Sequence, residues 1–321
     1  MVLAHQLVAE GKTAHAIATL ENAGIAGDVD SLMQLAVWHL AGHPVPRNLA
    51  RARHFLRSAT AIGHVDAALM EIALTANGSG AVADWQGALA LLQTAAQHDP
   101  VAADQIALIE TMQIDALGWP TCNPAAMVLS ESPRIARAHC LFTPAECAHV
   151  ATIAAELLEP STVLDPRSGR LIAHPIRTSD SGAIGPAKEN MVIRALNMRI
   201  AAATGTDVEQ GEPLTILHYR PGQQYRPHLD TIDGAANQRI KTVLVYLNDN
   251  FEGGETAFPL VPLTFKPGIG DAIIFDNTLP DGSTDTRLRH AGLSVRRGVK
   301  WLSTRWIRAK PVDPWTIAEL A

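Results

Sequence analysis

Leu214-Thr-Ile-Leu-His-Tyr-Arg-Pro-Gly-Gln-Gln-Tyr-Arg-Pro-His228-Leu-Asp230 carries two signals at once. Its first six residues form a short run with a period of two, closed by the turn-forming Pro221-Gly222. The same grammar recurs at TVLVYL (242–247), DAIIF (271–275) and VKWLSTRWI (299–307), with Gly, Pro, Asn and Asp between the runs. Several short strands at such spacing predict a β-sandwich or barrel. The second signal is His228-Leu-Asp230. In an extended chain, residues two apart project to one face, so both side chains can reach a single metal ion. His290, in Arg289-His290-Ala-Gly292, is the best candidate for a third ligand. Two imidazoles and one carboxylate on one face of an octahedral ion leave positions open, an arrangement suited to non-haem iron(II). Alone, H-x-D is common and usually no more than a hydrogen-bonded pair. Zinc hydrolases use the same donor types.

Lys300 follows His290 by ten residues. If residues 299–307 form a strand, Lys300, Leu302, Thr304 and Trp306 share a face. An inward lysine among apolar neighbours is costly unless it meets an anion. The distal carboxylate of 2-oxoglutarate would be such an anion, its keto-acid end chelating the metal. Periodicity leaves the opposite arrangement open, with Trp301, Ser303 and Arg305 inward.

Five ordered blocks extend the pattern: Y-R-P-G-Q-x-Y-x-x-H-x-D at 219–230, R-x-x-T-x-L-x-Y-L-N-D at 239–249, G-G-E-T-x-F-P at 253–259, G-x-x-x-x-F at 270–275 and H-A-G-x-x-V-x-x-G-x-K-W at 290–301. With Pro133-Arg-Ile135, the F-T-P-x-E-C helix start and Arg177-Thr-Ser179, the stretch from Glu131 to Lys310 resembles the prolyl 4-hydroxylase family of 2-oxoglutarate oxygenases. The resemblance implies a double-stranded β-helix with flanking helices. His228, Asp230 and His290 would hold iron(II), and Lys300 would bind 2-oxoglutarate with help from Tyr219 and Thr256. Tyr246 and Thr304 are further cosubstrate candidates, placed mainly by strand register. Arg239 and Trp306 would line the substrate groove, and Arg177 would sit on a loop closing over it. The implied reaction consumes O2 and 2-oxoglutarate, hydroxylates a C–H bond and releases succinate and CO2, with ascorbate as an added reductant. The implied product is 4-hydroxyproline in a peptide or protein. A free amino acid, a small peptide natural product, or a catalytically idle scaffold are the competing readings. Residues 233–237 and 279–287 read as polar loops that close over the site.

Upstream the grammar changes. Val29, Ala52, Phe55, Leu56 and Ala59, after Gly27, recur as Val65, Ala88, Leu91, Leu92 and Ala95, after Gly63, and a third start follows at Val101. This pattern resembles Sel-one-like and tetratricopeptide helix-pair repeats, in which small residues allow close approach and large ones fill the gaps. Such an array either grips a peptide on its concave surface or merely caps the next domain. The fold class is therefore α+β. An N-terminal α-helical repeat array (1–117) and a linker (118–130) precede a double-stranded β-helix (jelly-roll) catalytic domain with flanking helices (131–321). Thr143-Pro-Ala-Glu146 is a helix start opening a helix over 145–158, and a second helix is expected over 189–204.

Composition sets the bounds. With 321 residues, 47% hydrophobic and 18% charged, the chain can bury a large core. The net charge of -6 and the lack of a Lys/Arg block argue against a nucleic-acid partner. No apolar run is long enough to predict a membrane span, and the N-terminus reads as amphipathic helix rather than signal peptide. Three cysteines without metal-ligand spacing suggest a reducing cytoplasm, with Cys140 and Cys147 as buried structural thiols rather than a redox pair.

Overall fold

The computed structural model describes residues 2–122, 125–164 and 171–316. Asn123 and Pro124 of the expected linker, and residues 317–321 of the expected catalytic domain, lie outside the described residues. The chain divides into two compact units, residues 1–112 with 186–194, and residues 113–185 with 195–321. No helix among the described residues is long and apolar enough to cross a membrane.

The first unit contains α1 (Val2–Ala9), α2 (Thr13–Ile25), α3 (Val29–Ala41), α4 (Leu49–Ala61), α5 (Val65–Asn77), α6 (Trp85–Ala95) and α7 (Pro100–Thr111). The pairs α3–α4 and α5–α6 repeat with an offset of 36 residues, and so do the devices that end and start their helices. Gly42 and Gly78 close α3 and α5 in the left-handed conformation that glycine adopts without penalty. Asp28 and His64 cap the first helix of each pair, and Asn48 and Asp84 cap the second. Ala52, Leu56 and Ala59 of α4, and Ala88 and Leu92 of α6, are buried at the small and large positions expected. Leu91 is not: the residue equivalent to buried Phe55 is 46% exposed. Only its neighbour Leu92 turns into the packed seam.

Arg53 and Glu71 form a buried ion pair between α4 and α5, with Nη2 of Arg53 2.8 Å from Oε1 of Glu71. The same guanidinium donates to the Thr75 hydroxyl at 2.6 Å and the Ser79 carbonyl at 3.3 Å.

The second unit is built on strands: β1 (Ala126–Glu131), β2 (Arg134–Ala138), β3 (Glu159–Pro160), β4 (Thr162–Leu164), β5 (Leu171–Ala173), β6 (Asp180–Ile184), β7 (Leu214–Tyr219), β8 (Tyr225–His228), β9 (Arg239–Tyr246), β10 (Glu252–Gly253), β11 (Thr256–Phe258), β12 (Leu263–Phe265), β13 (Ala272–Asp276), β14 (His290–Gly292), β15 (Val295–Arg297) and β16 (Lys300–Arg308). Its helices are α8 (Pro144–Ala155) and α9 (Met191–Thr204), the latter from Ala195 onward, its first four residues being counted with the first unit. A large antiparallel sheet runs β1-β2-β13-β9-β16-β7-β6-β3, and a smaller one runs β12-β11-β14-β8. Residues from both, among them Tyr219, Leu244, Phe275 and Leu302 with Phe258 and Phe265, share one apolar core. This is the expected double-stranded β-helix with flanking helices.

Helix α8 begins as the sequence predicts. Thr143 accepts from the Glu146 amide at 3.2 Å while Glu146 accepts from the Thr143 amide at 2.7 Å, a reciprocal capping box. It ends at Ala155, short of residue 158. The cysteine expectation requires correction. Cys147 is buried, and burial pushes its thiol up to about 12. Cys140 is exposed, because it occupies the turn after β2 with a φ of +48° and its side chain points outward.

Replacing Glu71 with Ala leaves the Arg53 guanidinium buried without a carboxylate. We expect a loss of about 3 kcal/mol in stability, read as a lowered urea midpoint. A loss below about 1 kcal/mol would mean that water reaches the pair.

Candidate metal and cosubstrate site

Strand pairing builds the site. In the β8–β14 ladder His228 and His290 are direct partners, so both imidazoles leave the same sheet side by side, with ring centroids 4.3 Å apart. Asp230 lies just past the end of β8, not in the strand as the i, i+2 argument assumed, yet its carboxylate still joins them. Oδ1 is 3.6 Å from His228 Nε2, and Oδ2 is 3.7 Å from His290 Nε2. The three ligand atoms lie within 4.8 Å of one another.

The backbone selects which nitrogens are free. Nδ1 of His228 meets the Arg226 carbonyl at 2.8 Å, and Nδ1 of His290 meets the Leu288 carbonyl at 3.1 Å. Each Nδ1 therefore carries the proton, and each Nε2 presents a lone pair to the centre. Burial, opposed by the Asp230 charge, brings His290 down to about 4, so it is a neutral donor at neutral pH. Burial works against the Asp230 carboxylate, but His290, His228 and the Thr242 hydroxyl outweigh it and hold the group ionised. Thr242 donates to Asp230 Oδ2 at 2.6 Å and accepts from Asn277 Nδ2 at 2.9 Å.

The facing sheet supplies the rest of the cavity. Lys300, Leu302, Thr304 and Trp306 line it, which settles the face that β16 turns inward. Lys300 is 1% exposed and donates to the Gly254 carbonyl at 2.7 Å. Burial lowers its amine to about 7 against the opposing pull of Glu255. Gly254 has a φ of +70°, and a Cβ there would press on Lys300 Cδ at 3.1 Å, so the glycine turn is what admits the lysine.

Tyr219, the direct β-partner of Lys300, and Thr256 also line the cavity. Tyr246 stands behind Thr256, sharing a 2.6 Å hydrogen bond between their hydroxyls. The hydroxyl of Thr304 and the indole N–H of Trp306 are buried without a hydrogen-bond partner among the described residues. Arg239 stacks on Trp306, its guanidinium carbon 3.9 Å from a ring centroid. It is held there by two bonds to Glu212 at 2.7 and 2.8 Å. Arg177 donates to Ser161 Oγ at 3.1 Å and lies 5.6 Å from the Tyr225 ring centroid.

Sequence reasoning missed four contributors. Tyr225 stacks on the His228 ring, with centroids 3.5 Å apart and planes 13° from parallel. Its place three residues before His228 was the available signal. Glu212, Thr242 and Asn277 act across the fold, and only strand pairing reveals their partners. Of the two expected closing loops, the first is tied at its end, where Asn237 donates to the Lys310 carbonyl at 3.0 Å. The second carries Arg287, which bonds both Asp285 and Ser132.

The sequence profile of the 2OG-Fe(II) oxygenase superfamily matches residues 214–308. Prolyl 4-hydroxylase 1 of Arabidopsis thaliana is 36% identical over 207 residues, which cover 59% of this chain and 73% of that protein. The chain belongs to the prolyl 4-hydroxylase family. Probable prolyl 4-hydroxylase 10 of the same plant is 38% identical over 205 residues, covering 56% of this chain and 71% of that relative. A viral collagen prolyl hydroxylase from Paramecium Bursaria Chlorella virus-1, solved with 2OG, is 26% identical. It covers 55% of this chain and 96% of its own, with a TM-score of 0.45. Family membership and the donor set together make the chain an iron(II)- and 2-oxoglutarate-dependent dioxygenase that consumes O2. The residues present fit those groups: two imidazoles and a carboxylate for iron(II), and a buried amine in the same cavity for an anion.

Thr242→Val removes the hydroxyl that orients Asp230 while keeping the side chain's shape. We expect iron(II) affinity to fall about tenfold or more, measured by anaerobic metal titration. Unchanged affinity would show that the Asp230 position does not depend on Thr242.

Proposed function

We propose that the chain hydroxylates prolyl residues of a peptide or protein to 4-hydroxyproline, converting 2-oxoglutarate and O2 to succinate and CO2. The observation that carries this reading is one cavity holding both the His228–Asp230–His290 set and the buried amine of Lys300. Relatives named as prolyl 4-hydroxylases, at more than a third identity, support the choice of substrate.

In this reading His228, Asp230 and His290 hold iron(II), which when bound supplies the oxidative chemistry at O2 and the keto acid. Lys300 anchors the distal carboxylate, with Tyr219 and Thr256 beside it and Tyr246 fixing the Thr256 hydroxyl. Thr304 offers a further hydroxyl from the same strand face. The stacked Arg239 and Trp306 form a flat wall against which a proline ring packs, and Glu212 keeps Arg239 from swinging away. Arg177 and Tyr225 bound the site near His228. Leu217, Leu244 and Leu302 supply the apolar part of the lining and limit the water that reaches the reacting carbon.

The helical array is read as Sel-one-like repeats that hold the peptide. A groove of about 500 Å³ within it, floored by Ala61, Ala68, Ile72 and Leu91, supports this role. The functional division is taken as a repeat array over 1–117 and a catalytic domain over 131–321, with the expected linker 118–130 giving up its last residues to β1, which pairs with β2. Free cysteines among the described residues support a reducing, cytoplasmic setting.

The test is anaerobic titration of the full chain with iron(II) and 2-oxoglutarate, following the visible charge-transfer absorption, then turnover on proline-containing peptides read by mass. Wild type should give the band and a product heavier by one oxygen with matching succinate. His228→Ala should lose both, and Lys300→Met should weaken the band. A band with succinate but no peptide product would retain the oxygenase and move the substrate to a free amino acid or small peptide. No band in folded, iron-loaded protein would sink the whole reading.

The Lys300 amine adds a pH dependence. The dianionic cosubstrate needs the charged amine, whose population in the free protein declines above pH 7. Affinity for 2-oxoglutarate should weaken by up to roughly tenfold per pH unit above 7, with proton uptake on binding. Calorimetry in buffers of different ionisation enthalpy measures both, and Lys300→Met should abolish the uptake.

A further inference from the structure

A second convergent cluster lies outside the cavity. His139, Cys140 and Asp271 are the other group of described residues whose ligand-type atoms fall within 4.8 Å of one another. Strand pairing brings them together: β2 ends beside the start of β13, with Ala138 opposite Ala272, so the turn after β2 faces the residue before β13. The Phe142 amide donates to the Gly270 carbonyl at 3.1 Å and clamps that turn.

The three side chains form a chain of contacts. Nδ1 of His139 lies 2.7 Å from Asp271 Oδ1, and Nε2 lies 3.4 Å from Cys140 Sγ. Asp271 accepts from Nδ1–H, which fixes the tautomer and leaves Nε2 as the acceptor for the thiol proton. The aspartate is well anchored. Oδ1 also accepts from the Cys140 amide at 3.0 Å, and Oδ2 accepts from Arg137 at 2.5 Å and the Gly268 amide at 3.1 Å. Burial opposes its charge, but these donors outweigh burial and hold the carboxyl below the usual carboxylate range.

This arrangement suits a nucleophile and not a metal. All the lone-pair directions of Asp271 are taken by donors, and the neighbouring Arg137 guanidinium repels a cation. What remains outward is a thiol with a base beside it and a carboxylate orienting the base, the logic of an activated nucleophile. Cys140 is also the one described non-glycine residue at positive φ. That conformation is uncommon for such a side chain, and here it turns the sulfur toward His139.

We propose that Cys140, His139 and Asp271 form a reactive-thiol site at which Cys140 is oxidised by a hydroperoxide. The sulfur attacks the terminal peroxide oxygen, an S–O bond forms and the O–O bond breaks. His139 takes the thiol proton and passes it to the departing oxygen, giving a cysteine sulfenic acid and water or an alcohol. Sulfur loses the two electrons that the peroxide gains. A small thiol then condenses with the sulfenic acid to a mixed disulfide with loss of water, making the change reversible.

The protein carries its own control in Cys122, which is also exposed. The full chain is treated with limiting hydrogen peroxide, a chelator and a 1,3-dione trap, and each cysteine is followed by peptide mass. Cys140 should be trapped at least about tenfold faster than Cys122, as expected for an assisted proton transfer. His139→Ala, at a position whose side chain is 75% exposed, should fold normally and bring Cys140 to the rate of Cys122. Added imidazole should restore part of the difference. Equal rates in the wild type, an unchanged rate in His139→Ala, or no rescue would overturn the proposal. In a chelator-free sample, protection of Cys140 from iodoacetamide by zinc(II) would overturn it in favour of a metal site.

Discussion

The catalytic unit depends on a single register. His290 on β14 stands opposite His228 on β8, and that pairing alone sets two imidazoles side by side. A slip of one residue would turn every side chain of either strand to the other face and remove one histidine from the cavity. Everything else at the centre follows from it. The Arg226 and Leu288 carbonyls fall within reach of the two Nδ1 atoms, and Asp230 closes the set from the bend after β8. Thr242 reaches Asp230 from β9, a strand of the opposite sheet, so the carboxylate is pinned from across the core.

The second dependency is electrostatic. Burying Lys300 in an apolar core costs free energy, which lowers its amine and leaves a carbonyl as its hydrogen-bond partner. Such a group is out of place in a purely structural core. Its position on β16 beside Tyr219 of β7 directs it into the cavity that the histidines share. The site therefore combines the two imidazoles and carboxylate with a lysine amine in one cavity, which is what the proposed holding of a dicarboxylate against a metal requires.

The sequence made some of this legible and hid the rest for identifiable reasons. The capping box at Thr143, the 36-residue helix periodicity and the short strands are local patterns, written in neighbours along the chain. His228, Asp230, His290 and Lys300 were visible through spacing and ordered blocks. The inward face of β16 was not, because Ser303 and Arg305 on its other face are buried too, and a strand covered on both sides loses its alternation. Glu212, Thr242 and Asn277 were invisible because their bonds cross tens of residues. Cys140 was misread as a core thiol, since a positive φ at a cysteine leaves no trace in the sequence.

The recurring terminators of the helical array carry a consequence for its history and its melting. Gly27 and Gly63, like Gly42 and Gly78, hold matching left-handed conformations at matching positions. Each copy thus brings its own stops and starts, and a duplicated or deleted 36-residue segment would refold against its neighbours without renegotiating the turns. Repeats of this kind contact chiefly the copies before and after them. Loss of structure in such an array spreads from one copy to the next, and the length of the array is a quantity that evolution can adjust in whole steps.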